Sequence, residues 1–277
     1  MTAVLLALGS AAAFGAMTVG VRAGLRDGTD AMAAVLATLS VSWCVAASAS
    51  LVRHDYGGAW KFFLAGLLAP GLSQVLFTLA VREAGASRTS VTVGSAPLFA
   101  LTIAFLFLGE PVRVLLVVGA LAIVGGGALL ASERDRPDHI RVRGLVFALA
   151  ASVMFATRDN IVRALHAQGS PETVAAATML AGILVACIFT RRPPSRLDLR
   201  RFAPAGLLFG VSYVCLFEAY FRGRVSVVSP LVSTESLWGV GLAALYFRGS
   251  EQVGRRVVLG ALAIVAGGAL IGVTAGA

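Results

Sequence analysis

Long apolar stretches alternate with short polar ones along the whole chain. The apolar stretches cover residues 3–21, 31–52, 62–81, 89–108, 112–131, 144–165, 173–190, 203–221, 226–247 and 255–275. A transmembrane helix needs about 20 mainly apolar residues to cross a hydrocarbon layer about 30 Å thick, and each stretch is of that order. They are rich in Ala, Leu, Val and Gly and lack the strict alternation of barrel strands. The pattern predicts ten transmembrane helices with short connections and no extramembrane domain. Ser10-Ala11-Ala12-Ala13 looks like a signal cleavage region, but no basic residue precedes it and the apolar stretch is long for such a peptide. The first stretch is expected to remain as a helix.

The stretches repeat. Gly119-Ala120-Leu121-Ala122-Ile123-Val124 recurs 141 residues later as Gly260-Ala261-Leu262-Ala263-Ile264-Val265. Gly126-Gly127-Ala128-Leu129 recurs as Gly267-Gly268-Ala269-Leu270, and Glu110, Phe14 and Val21-Arg22-Ala23 match Glu251, Phe155 and Val162-Arg163-Ala164. Leu76-Phe77 and Arg82 match Leu216-Phe217 and Arg222 with a one-residue slip. The chain therefore reads as two five-helix halves, residues 1–137 and 138–277. Five is odd, so the second half enters the membrane from the opposite side. The expected fold is an all-α membrane protein of ten transmembrane helices arranged as two inverted five-helix repeats. Such repeats recur in secondary transporters, whose substrate site lies between the halves near the midplane. The competing reading is a duplicated membrane scaffold without transport.

Composition narrows the function. Of 277 residues 58% are hydrophobic and 13% charged, against about 25% charged in soluble domains, so a soluble globular enzyme is excluded. The net charge of +9 is scattered between apolar runs, not gathered on one patch as nucleic-acid binding needs. Cys44, Cys187 and Cys215 lie far apart inside the stretches, and His54, His139 and His166 lie in loops. Without CxxC, HExxH, GxGxxG or GxxxxGK[ST], no metal, cofactor or ATP site is indicated, and no enzyme is expected. Loops after odd-numbered helices hold 16 Lys or Arg and those after even-numbered helices six, which puts both termini outside by the positive-inside rule.

Ala96-Pro97-Leu98 running into Gly109-Glu110, followed by a Gly-rich fifth helix, resembles the EamA domain, the ten-helix branch of the drug/metabolite transporter superfamily. The second half is similar again, with Ser229-Pro230-Leu231, Glu251 and Ala266-Gly267-Gly268, while Trp238 stands where the family's proline would fall. The resemblance implies a gradient- or exchange-driven carrier of amino acids, metabolites or drugs, with termini in the cytoplasm. On that last point it disagrees with the charge count.

Ionisable groups inside the bilayer are costly and mark function. Four qualify: Arg158, Asp159, Glu218 and Glu235. At the repeat offset Arg158 faces Met17, Asp159 faces Thr18 and Glu235 faces Gly94, and the slipped register pairs Glu218 with Thr78. Intramembrane charge is thus confined to the second half. Glu235, flanked by Ser233, Thr234 and Ser236, is expected to meet a substrate amine or carry a proton; the alternative is a carboxylate satisfied by Arg158. Trp238, one turn on, could stack a ligand. Asp159 and Arg163 are spaced to pair along the helix, leaving Arg158 free for a substrate carboxylate or to snorkel. Asp159 and Glu218 are further candidates for proton coupling, Glu218 at the rim. Ser73, Gln74 and Tyr213 are neutral candidates for substrate binding. Thr92 and Ser95 flank the candidate hinge Gly94–Pro97, with Pro230 its counterpart in the second half. Gly20-xxx-Gly24, Gly206-xxx-Gly210 and Gly268-xxx-Gly272 allow close helix packing within one chain. Glu110 and Glu251 are expected to be structural, pairing with Arg113 and Arg255.

The sequence thus points to a monomeric carrier in the cell membrane. It is expected to export a small organic solute such as an amino acid or related metabolite by alternating access, with protons as the candidate coupling ion. Efflux of cationic or lipophilic drugs by proton exchange is the alternative.

Overall fold

The computed structural model describes residues 2–25, 28–53, 56–111, 113–131, 142–246 and 255–275, and all regular structure among them is helical. The first half comprises α1 (Thr2–Leu25), α2 (Ala31–Arg53), α3 (Ala59–Gly66), α4 (Ser73–Ala84), α5 (Ala86–Val93), α6 (Ala96–Phe107) and α7 (Val114–Ala131). The second comprises α8 (Val142–Ala164), α9 (Pro171–Phe189), α10 (Arg196–Arg222), α11 (Val225–Val232), α12 (Glu235–Tyr246) and α13 (Arg255–Ala275). Among the described residues seven segments are long and apolar enough to cross a membrane: Thr2–Leu25, Ala31–Val52, Ala59–Ala84, Val142–Ala164, Pro171–Phe189, Arg196–Arg222 and Val225–Tyr246. The predicted fourth, fifth and tenth spans contribute shorter apolar helices, Ala96–Phe107, Val114–Leu129 and Leu262–Ile271. The chain is a multi-pass helical membrane protein. The boundary expected at residues 137 and 138 lies outside the described residues, as do His54, His139 and Glu251.

Local chemistry explains where helices start and bend. Ser170 caps α9 by accepting from Thr173 N, and Ser195 and Asp198 form a reciprocal capping box on α10, satisfying amides that a helix start leaves bare. α3 and α4 are joined across a kink in Leu67–Leu72, where Ala69 is extended before Pro70; a residue before proline disfavours the helical region. The fourth and ninth spans are each broken into two helices, at Gly94-Ser95 and at Ser233-Thr234. Ser95 Oγ donates to Thr92 O, and Thr234 Oγ1 donates to Leu231 O, both at 2.7 Å. These hydroxyls compete with the backbone at the break.

The structural register corrects the sequence register. Arg22 Nη1 donates to Val81 O and Arg163 Nη1 to Tyr220 O. The two arginines are 141 residues apart, but their acceptors are 139 apart, as are the two breaks. From the end of the third span through the fourth, then, the mate of a residue lies 139 positions on. Glu235 therefore stands opposite Ala96 and not Gly94, and Glu218 opposite Leu79 and not Thr78. Pro97 stands opposite Ser236, so Trp238 does not occupy the proline's place. Pro97 sits in the first turn of α6, where its missing N–H costs no helical bond. The break in α5–α6 thus precedes the proline, and the break in α11–α12 needs none at that position.

Packing follows a pseudo-twofold relation. α1 packs on α10 and α12 as α8 packs on α4 and α6, and α5 crosses α12 as α11 crosses α6. The self-paired helices α7 and α13 give the sharpest case. A methyl group at Gly126 would lie 2.6 Å from Gly260 O and 2.9 Å from Ile264 Cγ1. One at Gly267 would lie 2.5 Å from Gly119 O and 2.9 Å from Ile123 Cγ1, the mates of those two partners. Glycine there lets backbones touch, the small-residue packing that drives helix association in lipid. Gly20, Gly24, Gly206 and Gly210 are likewise filled by neighbours from the same chain: Ala205, Phe202, Val41 and Val45.

Candidate functional site

Beside the pseudo-twofold relation lies a cavity whose wall comes from both halves. α1 contributes Ser10 and Phe14, α5 and α6 contribute Val93 and Ala96, and α8 contributes Phe155, Arg158 and Asp159. α10 adds Ser212, Tyr213 and Leu216, and the second broken helix adds Ser229, Val232, Ser233 and Glu235. The spacing of Ser10 and Phe14, or of Ser212, Tyr213 and Leu216, places each set on one helix face. The break in α11–α12 puts Glu235 at the first turn of α12, where an acidic side chain is favoured by the helix dipole.

The arginine is held by its neighbouring carboxylate and by three aromatic rings. Arg158 and Asp159 are 2% and 6% exposed, so the geometry of their pair decides whether burial is tolerable. Arg158 Nη2 and Nε both reach Asp159 Oδ1, at 2.6 and 2.7 Å. The other carboxylate oxygen accepts from Tyr220 Oη at 2.6 Å. The guanidinium lies over the rings of Tyr213, Phe217 and Phe155, at 4.7, 5.1 and 5.6 Å from their centroids. Removing two charges from water is costly unless attraction and further hydrogen bonds offset it, and a desolvated cation over aromatic faces gains further. The expectation that Asp159 pairs with Arg163 and leaves Arg158 free is overturned. Arg163 is spent on Tyr220 O, while the long arginine side chain folds back to its own neighbour. Arg158 is also not the partner of Glu235.

Three cavity groups keep unused capacity. Arg158 Nη1 and Tyr213 Oη are buried without a hydrogen-bond partner among the described residues, and Glu235, itself buried, forms no ion pair with them. Ser10 and Ser212 by contrast bond one another, with Oγ atoms 3.0 Å apart, and Ser212 Oγ also donates to Ser10 O at 3.0 Å. Ser233 and Ser236 donate to helix carbonyls.

The structure therefore brings Arg158, Asp159, Tyr213 and Glu235 together and leaves other candidates apart. Trp238 is 45% exposed and does not line the cavity; α12 is pressed against α1 at Gly15, which turns the indole outward. Glu218 pairs with Arg222 one turn on, outside the cavity. Ser73 and Gln74 are buried in α4, also outside its wall. Glu110 reaches from the end of the fourth span to α11, where its two carboxylate oxygens accept from Val225 N and Ser226 N, both at 2.9 Å. The expected pairing of Glu251 with Arg255 lies outside the described residues. Sequence reasoning missed Phe14, Phe155 and Tyr220 as parts of the site. The signal was present: Tyr213, Phe217 and Tyr220 recur at helical spacing on one face. No cluster of His, Cys, Asp and Glu fit to hold a metal occurs among the described residues.

Comparison with known proteins agrees with this architecture. The model of the EamA-like transporter family matches twice, over residues 1–132 and 142–273. Among curated proteins no sequence matches. A protein of known crystal structure is similar in fold, with a TM-score of 0.78 at 19% identity, over 99% of this chain and 97% of that one. Two matches that together span nearly all of the sequence leave one conclusion: the chain belongs to the EamA-like transporter family.

Proposed function

We propose that the chain is a secondary carrier exporting a small amphoteric solute, an amino acid or a related metabolite, by alternating access. In this reading ten membrane passes form two inverted halves, residues 1–137 and 138–277, in one monomer of the cell membrane. The observation that carries it is the unused capacity of the cavity. Glu235 offers a carboxylate to an ammonium group, and Arg158 Nη1 and Tyr213 Oη offer two donors to a carboxylate. Phe14, Phe155 and Leu216 supply the apolar wall between them. A buried donor left unpaired costs free energy that a matching acceptor recovers. A solute that bears only a cation would leave both donors empty.

The residues divide the work. Asp159 and Tyr220 hold the guanidinium in place, so Arg158 presents one nitrogen in a fixed direction. Glu235 binds the amine, or a proton when the amine has left, which couples solute movement to protons. Rocking of the halves at Gly94-Ser95 and Ser233-Thr234 exposes the cavity to alternate sides, with Pro97 and Pro230 stiffening the adjoining helices.

A second reading has its own support. Asp159 cancels the charge of Arg158, so ionised Glu235 leaves the cavity with one net negative charge, which suits a lipophilic cation exchanged for a proton. A thermal-shift titration of purified protein with zwitterionic amino acids, their amides and lipophilic cations separates the two. Stabilisation by the zwitterions, weakened in the amides, supports the amphoteric reading. Stabilisation by the cations alone overturns it.

A further inference from the structure

We infer that Ser73 and Gln74 form a second solute-facing wall, the mirror of Ser212 and Tyr213, closed in the present state and open in the opposite-facing one. The register fixed by Arg22 on Val81 O and Arg163 on Tyr220 O runs unbroken through α4 and α10. At 139 residues, the mates of Ser212, Tyr213 and Leu216 are Ser73, Gln74 and Phe77. The first three line the cavity between Phe14 and Phe155. The second three therefore face the same aromatic pair from the other side of the axis. Phe77 does so directly, its ring 5.3 Å from that of Phe14 and 6.5 Å from that of Phe155.

What fills the mirror site accounts for its closure. Leu216 leaves room beside the aromatic pair, and Phe77, fully buried, takes that room. Met17 stands where the second half has Arg158, and is also fully buried. Ser212 finds Ser10 as partner, but the mate of Ser10 is Ala151, so Ser73 has no hydroxyl to meet. The consequence is a knot of polar atoms with no use in this state. Ser73 Oγ and both amide atoms of Gln74 are buried and make no hydrogen bond among the described residues. Buried polar atoms are almost always paired, and an exception asks for a reason. A packed interior with no role for them would favour an apolar side chain, as the fully buried Phe77 one turn on illustrates.

Exchange of conformations between inverted halves supplies the reason. As the second half closes on Tyr213, the first half opens beside Gln74, whose amide can both donate and accept. The solute then exchanges an arginine-anchored wall for a neutral one, and binding weakens on the side where Ser73 and Gln74 face the exit. The inference rests on alternating access in the proposed function, but not on which solute is carried.

Cysteine accessibility tests it in full-length protein with Cys44, Cys187 and Cys215 replaced by alanine. Ser73→Cys and Ser212→Cys are each exposed to a membrane-impermeant thiosulfonate, in intact cells and in inverted vesicles. Gln74→Cys serves as a second probe of the same wall if Ser73→Cys fails to accumulate. The expected result is modification of the two walls from opposite faces. Modification of the Ser73–Gln74 wall from the face that reaches Ser212→Cys, or from neither face, overturns the inference; the latter outcome marks a niche holding only water. The readout needs no transported solute, so a failed titration with amino acids leaves it intact, and its own failure leaves the solute reading standing.

Discussion

Phe14 and Phe155, 141 positions apart, meet edge to face with ring centroids 6.1 Å apart. Residues related by a twofold axis can touch only where they lie beside it. Both rings line the cavity, so the candidate site sits on the axis between the halves, where the rocking motion proposed above would give access from either side. Phe77 closes one side of this pair where Leu216 leaves the other open. Phe77→Leu should therefore shift the carrier toward the opposite-facing state. Faster thiol modification of Ser73→Cys in the Phe77→Leu background is the expected readout; an unchanged rate contradicts it.

The Arg158–Asp159 pair should behave as a unit. Asp159→Asn leaves a buried guanidinium without its carboxylate, a loss of about 3–5 kcal/mol for such pairs. Tyr220→Phe removes one hydrogen bond to a charged group, about 1.5–3 kcal/mol. Replacing both charges, as Arg158→Met with Asp159→Asn, should cost much less than Arg158→Met alone and Asp159→Asn alone added together, the parent completing the set of four. Reversible denaturation of the four proteins in mixed micelles provides the cycle, and simple additivity would show the pair to be incidental.

The α7–α13 contact gives a test of the twofold relation itself. Gly126→Val and Gly267→Val each force a side chain into a facing carbonyl less than 3 Å away, and overpacking typically costs about 1–3 kcal/mol. Gly125→Val, with open space around its Cβ direction, is the control. The two mates should lose similar thermal stability, and the control little.

Glu110 joins the halves by holding the start of α11, whose Ser229 and Val232 line the cavity. Glu110→Gln keeps one acceptor oxygen and loses the charge that the helix N-terminus favours. It should lower thermal stability less than Glu110→Ala does. An alanine variant as stable as the parent would remove Glu110 from the account.

Much of the fold was legible because burial in lipid leaves a strong mark: long apolar runs, and glycines such as Gly126 and Gly267 repeated where backbones must touch. The 141-residue offset makes Phe14 and Phe155 repeat mates, but only the fold makes them neighbours, edge to face across the axis. The broken helices were not legible in the same way. The first break, at Gly94-Ser95, falls within the expected Gly94–Pro97 hinge, but Pro97 itself starts a helix; at both breaks, Gly94-Ser95 and Ser233-Thr234, serine and threonine hydroxyls turn back on carbonyls three residues earlier. This also hid the shift to 139 that pairs Gln74 with Tyr213. For the site, helix-face geometry favoured a pair between Asp159 and Arg163 over neighbours pointing about 100° apart. It did not reckon with an arginine stem long enough to fold back, nor with Tyr220 as the third partner. Trp238 shared a helix with Glu235, but the contact of α12 with Gly15 of α1 decided its direction, and such contacts are non-local.

Glu235 is the group on which proton-coupled export turns in the proposed function. Full-length protein in sealed proteoliposomes, loaded with labelled amino acids, can be challenged with a pH gradient of either sign. Efflux of at least one zwitterionic amino acid driven by the gradient is the expected result. In Glu235→Gln that drive is lost while the protein remains as thermally stable as the parent. Efflux in Glu235→Gln with the parent's pH dependence would contradict it.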